Sequence, residues 1–117
     1  MVRVASCLLL ACLVLPAIAG CGGGEAKLRN DLKQVGLAYM SYHDQYQKGP
    51  ANWDELIKFA KDAQLSAASI QSVRDAGFQL QWEIKLSELK NGASQTVLGE
   101  KPGSALKLYC DGSVQGQ

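Results

Sequence analysis

The chain has 117 residues, 47% of them hydrophobic and 20% charged, with twelve Lys/Arg against eleven Asp/Glu for a formal net charge of +1. That length admits one domain. The near balance of charge excludes the basic footprint of a nucleic-acid-binding domain and the polybasic cluster that holds anionic lipid heads. Neither composition nor motif identifies a small-molecule substrate.

The N-terminus comes first. Met1-Val2-Arg3 makes a short positive segment, and Val4 to Pro16 is an apolar run interrupted only by Ser6. A membrane span needs roughly 20 apolar residues. This run instead has the length of a signal-peptide hydrophobic region. It ends in Ile18-Ala19-Gly20-Cys21. Small residues at 19 and 20 fit the narrow pocket of a signal peptidase, and the cysteine directly after them supplies a thiol for acylation. The segment resembles the bacterial lipobox. That resemblance implies a lipoprotein signal peptide over residues 1–20, removed on maturation, and a lipidated Cys21 carrying two or three acyl chains such as palmitate. One chain binds a bilayer only reversibly, at about 0.8 kcal/mol per buried CH₂, so several chains make the anchorage firm. Gly22-Gly23-Gly24 reads as a flexible tether within 21–26. An ordinary secretory signal with a chance cysteine is the alternative, and the tether weighs against it. Gly22 stands where an Asp would favour the inner membrane. By likeness to lipoprotein sorting, this places the chain on the periplasmic side of the outer membrane.

Four cysteines stand at 7, 12, 21 and 110. The first two fall in the leader, so a lipidated Cys21 leaves Cys110 alone and no disulfide can form within one mature chain. Cys110 reads as a small buried hydrophobe in a strand, with pairing between chains as the alternative.

The domain is expected over 27–117. From Glu25 to Tyr46 the apolar positions Leu28, Leu32, Val35, Tyr39, Tyr42 and Tyr46 follow at steps of four and three. That is one stripe of an amphipathic helix of about six turns. Glu25 belongs to its first turn, where the helix dipole favours an anion. Gly36 weakens the helix by about 1 kcal/mol relative to Ala, and Gly49-Pro50 stops it. The three tyrosines read as core contacts with their hydroxyls at the rim. Asn52 followed by Glu55 has the form of a capping box. It opens a second helix through Trp53, Leu56, Ile57 and Ala60 to about Ala63. A short third helix follows, with Ser66 as cap, Ile70 and Val73 inside and Gly77 at its end.

The period then changes. Phe78, Leu80, Trp82 and Ile84 alternate with Gln79, Gln81 and Glu83, as in a strand with one buried face. Asn91-Gly92 turns, Thr96-Val97-Leu98 is a short strand, Pro102-Gly103 turns again, and Leu106 to Cys110 alternates once more. Asp111-Gly112 signals a two-residue hairpin into a fourth strand at Val114. Helices first and strands second predict an α+β domain, a long N-terminal helix packed on a small antiparallel sheet with one or two short helices between.

Asn30 to Ala38 (NDLKQVGLA), then Tyr42-His43-Asp44 and Pro50, is similar to the segment after the membrane helix in planctomycete-type pilin-like proteins. Lys101-Pro102-Gly103-Ser104, then Leu106 to Asp111-Gly112-Ser113-Val114, resembles their closing motif, a His, nine residues, then Asp-Gly. Lys101 stands in the place of that His, so the role of the His does not carry over. The resemblance implies a pseudopilin-like fold. Pilins polymerise through a hydrophobic helix continuous with their head, whereas here the hydrophobic segment is a leader that is removed. The expectation is therefore a pilin-like head on a lipid anchor, not a filament subunit.

Little else in the chain points to chemistry. His43 is the only histidine. With Cys110 it could make a Cys-His pair only if the fold joined them, and a structural role is expected. The cysteine and histidine content does not supply the three or four ligands of a zinc site. Some pseudopilins bind calcium near the end of the sheet. Glu88, Glu100 and Asp111 lie in that region, but no D-x-D-x-D-G loop is present, and no cofactor or metal is expected. The Gly22–Gly24 run follows no strand and fails the context of a phosphate loop. The function expected is that of a lipid-anchored, non-enzymatic binding or scaffolding protein of the cell envelope, with a protein partner. Docking on a type II secretion or type IV pilus-like machine and a small enzyme using His43 and Cys110 are the alternatives.

Overall fold

The computed structural model describes the backbone of residues 4–116 and the side chains of residues 25–116. The readings of a leader over 1–20 and of lipidation at Cys21 fall on side chains outside the described residues. The fold is α+β. Helix α1 spans Val4–Tyr46, α2 spans Trp53–Asp62 and α3 spans Ala67–Asp75. Strands β1 (Gln79–Leu80), β2 (Val97–Glu100), β3 (Lys107–Tyr109) and β4 (Val114–Gln115) form one sheet in the order β1-β2-β3-β4, every pair antiparallel. Among the described residues no helix is long and apolar enough to cross a membrane.

The stripe on α1 is the spine of the core. Leu32, Val35, Ala38 and Tyr39 are buried there, with Leu56, Ile57 and Ala60 of α2, Ile70 and Val73 of α3, and Leu80, Leu98, Leu106, Leu108 and Cys110 of the sheet region. Tyr46 departs from the expectation. It is 52% exposed, because α1 overruns the layer it packs on. At the other end α1 starts well before Glu25, which lies in its interior rather than its first turn, and it takes in the glycines read as a tether. No Ser, Thr, Asp or Asn stands between Cys7 and Arg29 to open a new helix there.

Gly36 has a packing reason that periodicity does not show. A Cβ there would lie 3.1 Å from both the Gly112 Cα and the Leu108 Cδ1, so α1 seats directly on the β3–β4 hairpin. Beside that contact, Arg29 donates to the carbonyls of Val114 (3.5 Å) and Gly116 (2.8 Å). These bonds occupy acceptors in and just after β4, an edge strand that would otherwise invite pairing.

Local signals set the helix ends. Asn52 Oδ1 accepts from the Glu55 N–H at 2.8 Å, as the capping pattern requires. The Glu55 carboxylate returns to the Ala51 N–H at 2.9 Å, one residue earlier than in a regular box. Ser66 occupies the cap position of α3, but its hydroxyl pairs with Ser69 Oγ at 2.9 Å and caps no backbone group. Gly77 ends α3 at φ 99, and the Phe78 N–H reaches the Val73 carbonyl at 3.4 Å.

The strand expected over 78–84 is shorter. Its burial alternates as the sequence requires, with Phe78 and Leu80 inside and Gln79 and Gln81 outside. Pairing with β2 nevertheless ends after the Gln81 N–H reaches the Leu98 carbonyl at 2.8 Å. The backbone turns at Glu83, at φ 56, and finds a second partner. The Glu83 N–H donates to the Pro50 carbonyl (2.9 Å) and the Gly49 N–H to the Ile84 carbonyl (2.8 Å). Two 3₁₀ turns, Leu86–Glu88 and Ala93–Gln95, then lead to β2. The last hairpin has a three-residue loop, Cys110-Asp111-Gly112, in place of the two-residue turn expected. The Tyr109 N–H donates to the Ser113 carbonyl (2.8 Å) and the Gly112 N–H to the Tyr109 carbonyl (2.9 Å). Gly112, at φ 89, takes the left-handed position that such loops reserve for glycine.

Candidate functional site: an aromatic cleft at the end of the long helix

Three side chains one helical turn apart on α1 (Tyr39, His43 and Tyr46, with Tyr42 beside them) decide what this end of the molecule offers. Tyr39 is 1% exposed. Its hydroxyl donates to the Gln81 carbonyl at 2.8 Å and accepts the Ile84 N–H at 3.3 Å, bridging the break where the extended chain leaves the sheet. Burial pushes its phenol up to about 12. A Cβ at Gly49 would fall on the Tyr39 ring, so only glycine lets the chain pass there. Trp82 stacks on Tyr39 with centroids 6.5 Å apart and meets Trp53 edge-on at 5.2 Å.

His43 continues this clamp. Its Nε2 accepts the Leu86 N–H at 3.1 Å, which puts the imidazole proton on Nδ1. Cys110 is 1% exposed, and burial, then the neighbouring Asp111 carboxylate, pushes its thiol up. Both properties oppose thiolate formation. Among the described residues no hydrogen bond joins His43 to Cys110. Cys110 follows β3 directly and lies in the core, as expected of a small hydrophobe.

Of the three residues named for calcium, Glu88 lies in the first 3₁₀ turn, and Asp111 and Glu100 are engaged separately. Asp111 Oδ1 accepts from the Ser113 hydroxyl (2.6 Å) and N–H (3.0 Å), which together hold its carboxyl below the usual range. Glu100 faces Lys107 at 3.7 Å. Among the described residues no three His, Cys, Asp or Glu side chains gather as a metal would require.

An aromatic cluster lies where α1 overruns the core. Tyr42 and Tyr46 sit with centroids 4.6 Å apart at 44°. Phe59 of α2 meets them edge-on at 5.3 and 6.4 Å, at 72° to each. Together with Glu55, Lys58 and Asp62 these rings line a cleft of about 290 Å³. A second hollow, along Gln45, Tyr46, Phe59, Asp62 and Ala63, adjoins it. The Tyr42 hydroxyl donates to Glu55 Oε1 at 2.8 Å, the same oxygen that takes the Ala51 N–H. Those two bonds, the Ala51 amide foremost, hold the Glu55 carboxyl low. Burial and then Glu55 push the Tyr42 phenol up to about 12. At ordinary pH the Tyr42 phenol is therefore neutral and the Glu55 carboxyl ionised. The cleft was hidden in the sequence because Phe59 belongs to another element. The signal that could have found it is the tyrosine stripe continuing up to Gly49-Pro50.

No protein-family model matches the chain, and comparison with curated proteins and with solved structures finds no match either.

Proposed function

We propose that this is a lipid-anchored protein of the bacterial envelope. It displays a pilin-like α+β head for binding or scaffolding and carries out no reaction of its own. One observation carries the reading, the Ile18-Ala19-Gly20-Cys21 sequence closing an apolar run of signal-peptide length. Two others support it. The stretches that resemble the pilin-like family, Asn30–Ala38 and Leu106–Gly112, meet at the Gly36–Gly112 contact. Removal of residues 1–20 would leave Glu25 four residues from the new N-terminus, near the end of the dipole that its charge suits. In this reading the head stands on an acylated Cys21 at the periplasmic face of the outer membrane and meets a protein partner there.

The test is mass spectrometry of the protein isolated from cell membranes, with fractionation of Cys21→Ser beside it. The expected N-terminal fragment begins at an acylated Cys21, and the variant moves to the soluble fraction. An unmodified Cys21 still preceded by residues 1–20 overturns the proposal.

A further inference from the structure

We infer that the Tyr42–Tyr46–Phe59 cleft binds a cationic side chain, an arginine guanidinium or a lysine ammonium, carried by a partner protein. The inference rests on the reading of the head as a binding module and names the chemistry of its partner.

Ring geometry comes first. The three rings meet at 44° and 72° and so build a corner, not a flat platform. A sugar ring or a nucleobase needs a broad face to stack on, and rings set at these angles share no common plane to offer one. A compact cation needs only one ring face within about 6 Å. Tyr46, 52% exposed, supplies accessible ring surface, and the cleft of about 290 Å³ has room for one such head group.

Charge agrees. Glu55 and Asp62 line the cleft against a single cation, Lys58. Glu55 spends Oε1 on Ala51 and Tyr42, which fixes the carboxylate in place. No hydrogen bond among the described residues uses its Oε2. The Asp62 carboxylate has neither an ion pair nor a hydrogen bond among the described residues. A planar, doubly donating guanidinium suits such acceptors especially well. Position agrees too. Glu25 to Tyr46 measures about 32 Å along α1 at helical rise. The cleft therefore lies at the end of α1 remote from Cys21, suited to a protein partner more than to lipid head groups.

The test uses the full-length protein in detergent micelles, with ring signals of Tyr42, Tyr46 and Phe59 followed by NMR. The probes are a tetra-arginine peptide, a tetra-glutamate peptide and an amino-sugar tetrasaccharide. Saturable shifts are expected with tetra-arginine alone, weakening as salt is raised. Tyr46→Ala, at an exposed position that leaves the core intact, should weaken binding about two- to fivefold, the worth of one exposed cation–π contact. Asp62→Asn should weaken it and Lys58→Glu should strengthen it. Failure of tetra-arginine to bind, undiminished binding by Tyr46→Ala, or preference for the tetrasaccharide overturns the inference. The state of Cys21 does not enter this assay, so failure of the cleft and failure of the anchor are read separately.

Discussion

Replacing Tyr39 by Phe removes one oxygen and keeps the ring. The packing against Trp82 therefore survives, and the change isolates the hydroxyl. That oxygen serves two backbone groups, the Gln81 carbonyl at 2.8 Å and the Ile84 N–H at 3.3 Å, from a side chain only 1% exposed. Each group left without a partner in a part-buried site costs about 1–3 kcal/mol. Some water can reach the strand break, so the lower half of the sum applies, about 2–4 kcal/mol. For a domain of this size that lowers the melting temperature by roughly 10 °C or more. Denaturant unfolding of the full-length protein in detergent, followed by tryptophan fluorescence, gives the free energy directly. Tyr42→Phe is the control. Its lost bond to Glu55 is exposed, and the expected cost is under about 1 kcal/mol. The alkaline limb adds a second readout. Burial raises the Tyr39 phenol from 10.0 to about 12, so the folded chain holds this proton more tightly than the unfolded one. Its contribution is complete below pH 10 and is lost as pH rises toward 12. Tyr39→Phe should flatten that limb and leave the share of Tyr42, raised by a similar amount. A loss below about 0.5 kcal/mol, equal to that of Tyr42→Phe, would show that the hydroxyl does not bridge the break.

Two further substitutions probe how the helix seats on the sheet. Gly36→Ala gains about 1 kcal/mol of helix propensity but forces Gly112 and Leu108 back from 3.1 Å, an overpacking cost of about 1–3 kcal/mol. The expected net result is a lower unfolding midpoint, and a raised one would remove the hairpin from that position. Asp111→Pro loses the two Ser113 bonds and pushes Cys110 toward extended backbone. A destabilisation of about 2 kcal/mol is expected, and an unchanged melting curve would mean that the loop closes elsewhere.

Features that depend on neighbours three or four residues apart were legible in the sequence. The Asn52–Glu55 cap, the Gly77 helix end and the α1 stripe are of this kind, because one helical turn contains both partners. The α+β order followed from the change of period after Gly77. What the sequence concealed depends on distant segments. Alternation across Phe78–Ile84 reports which side chains go inside, and it does so correctly. It says nothing of which backbone pairs with which, and so the move of Glu83 and Ile84 from β2 to Gly49–Pro50 had no local mark. His43 is similar. One residue type at one position is compatible with catalysis, ligation or support, and only the Leu86 amide, 43 residues away, decides among them.

The tyrosines show how the same pattern yields both core and cleft. Tyr39, Tyr42 and Tyr46 continue one stripe at steps of three and four, and periodicity alone makes them equivalent. A stripe is buried only as far as another layer lies beneath it. Tyr39 sits over the extended chain at Gln81–Ile84 and is enclosed. Tyr42 reaches only α2, through Phe59 and Glu55. By Tyr46 one ring of Phe59 remains as cover from the layer beneath, and the residue is about half exposed. The gradient follows from the length of α1 against the short elements packed on it. The helix ends only where Gln47 turns to φ 66, just before Gly49-Pro50. An aromatic ring held in solvent costs free energy that burial would recover, and a cationic partner side chain set against Tyr46 and Phe59 would recover part of it.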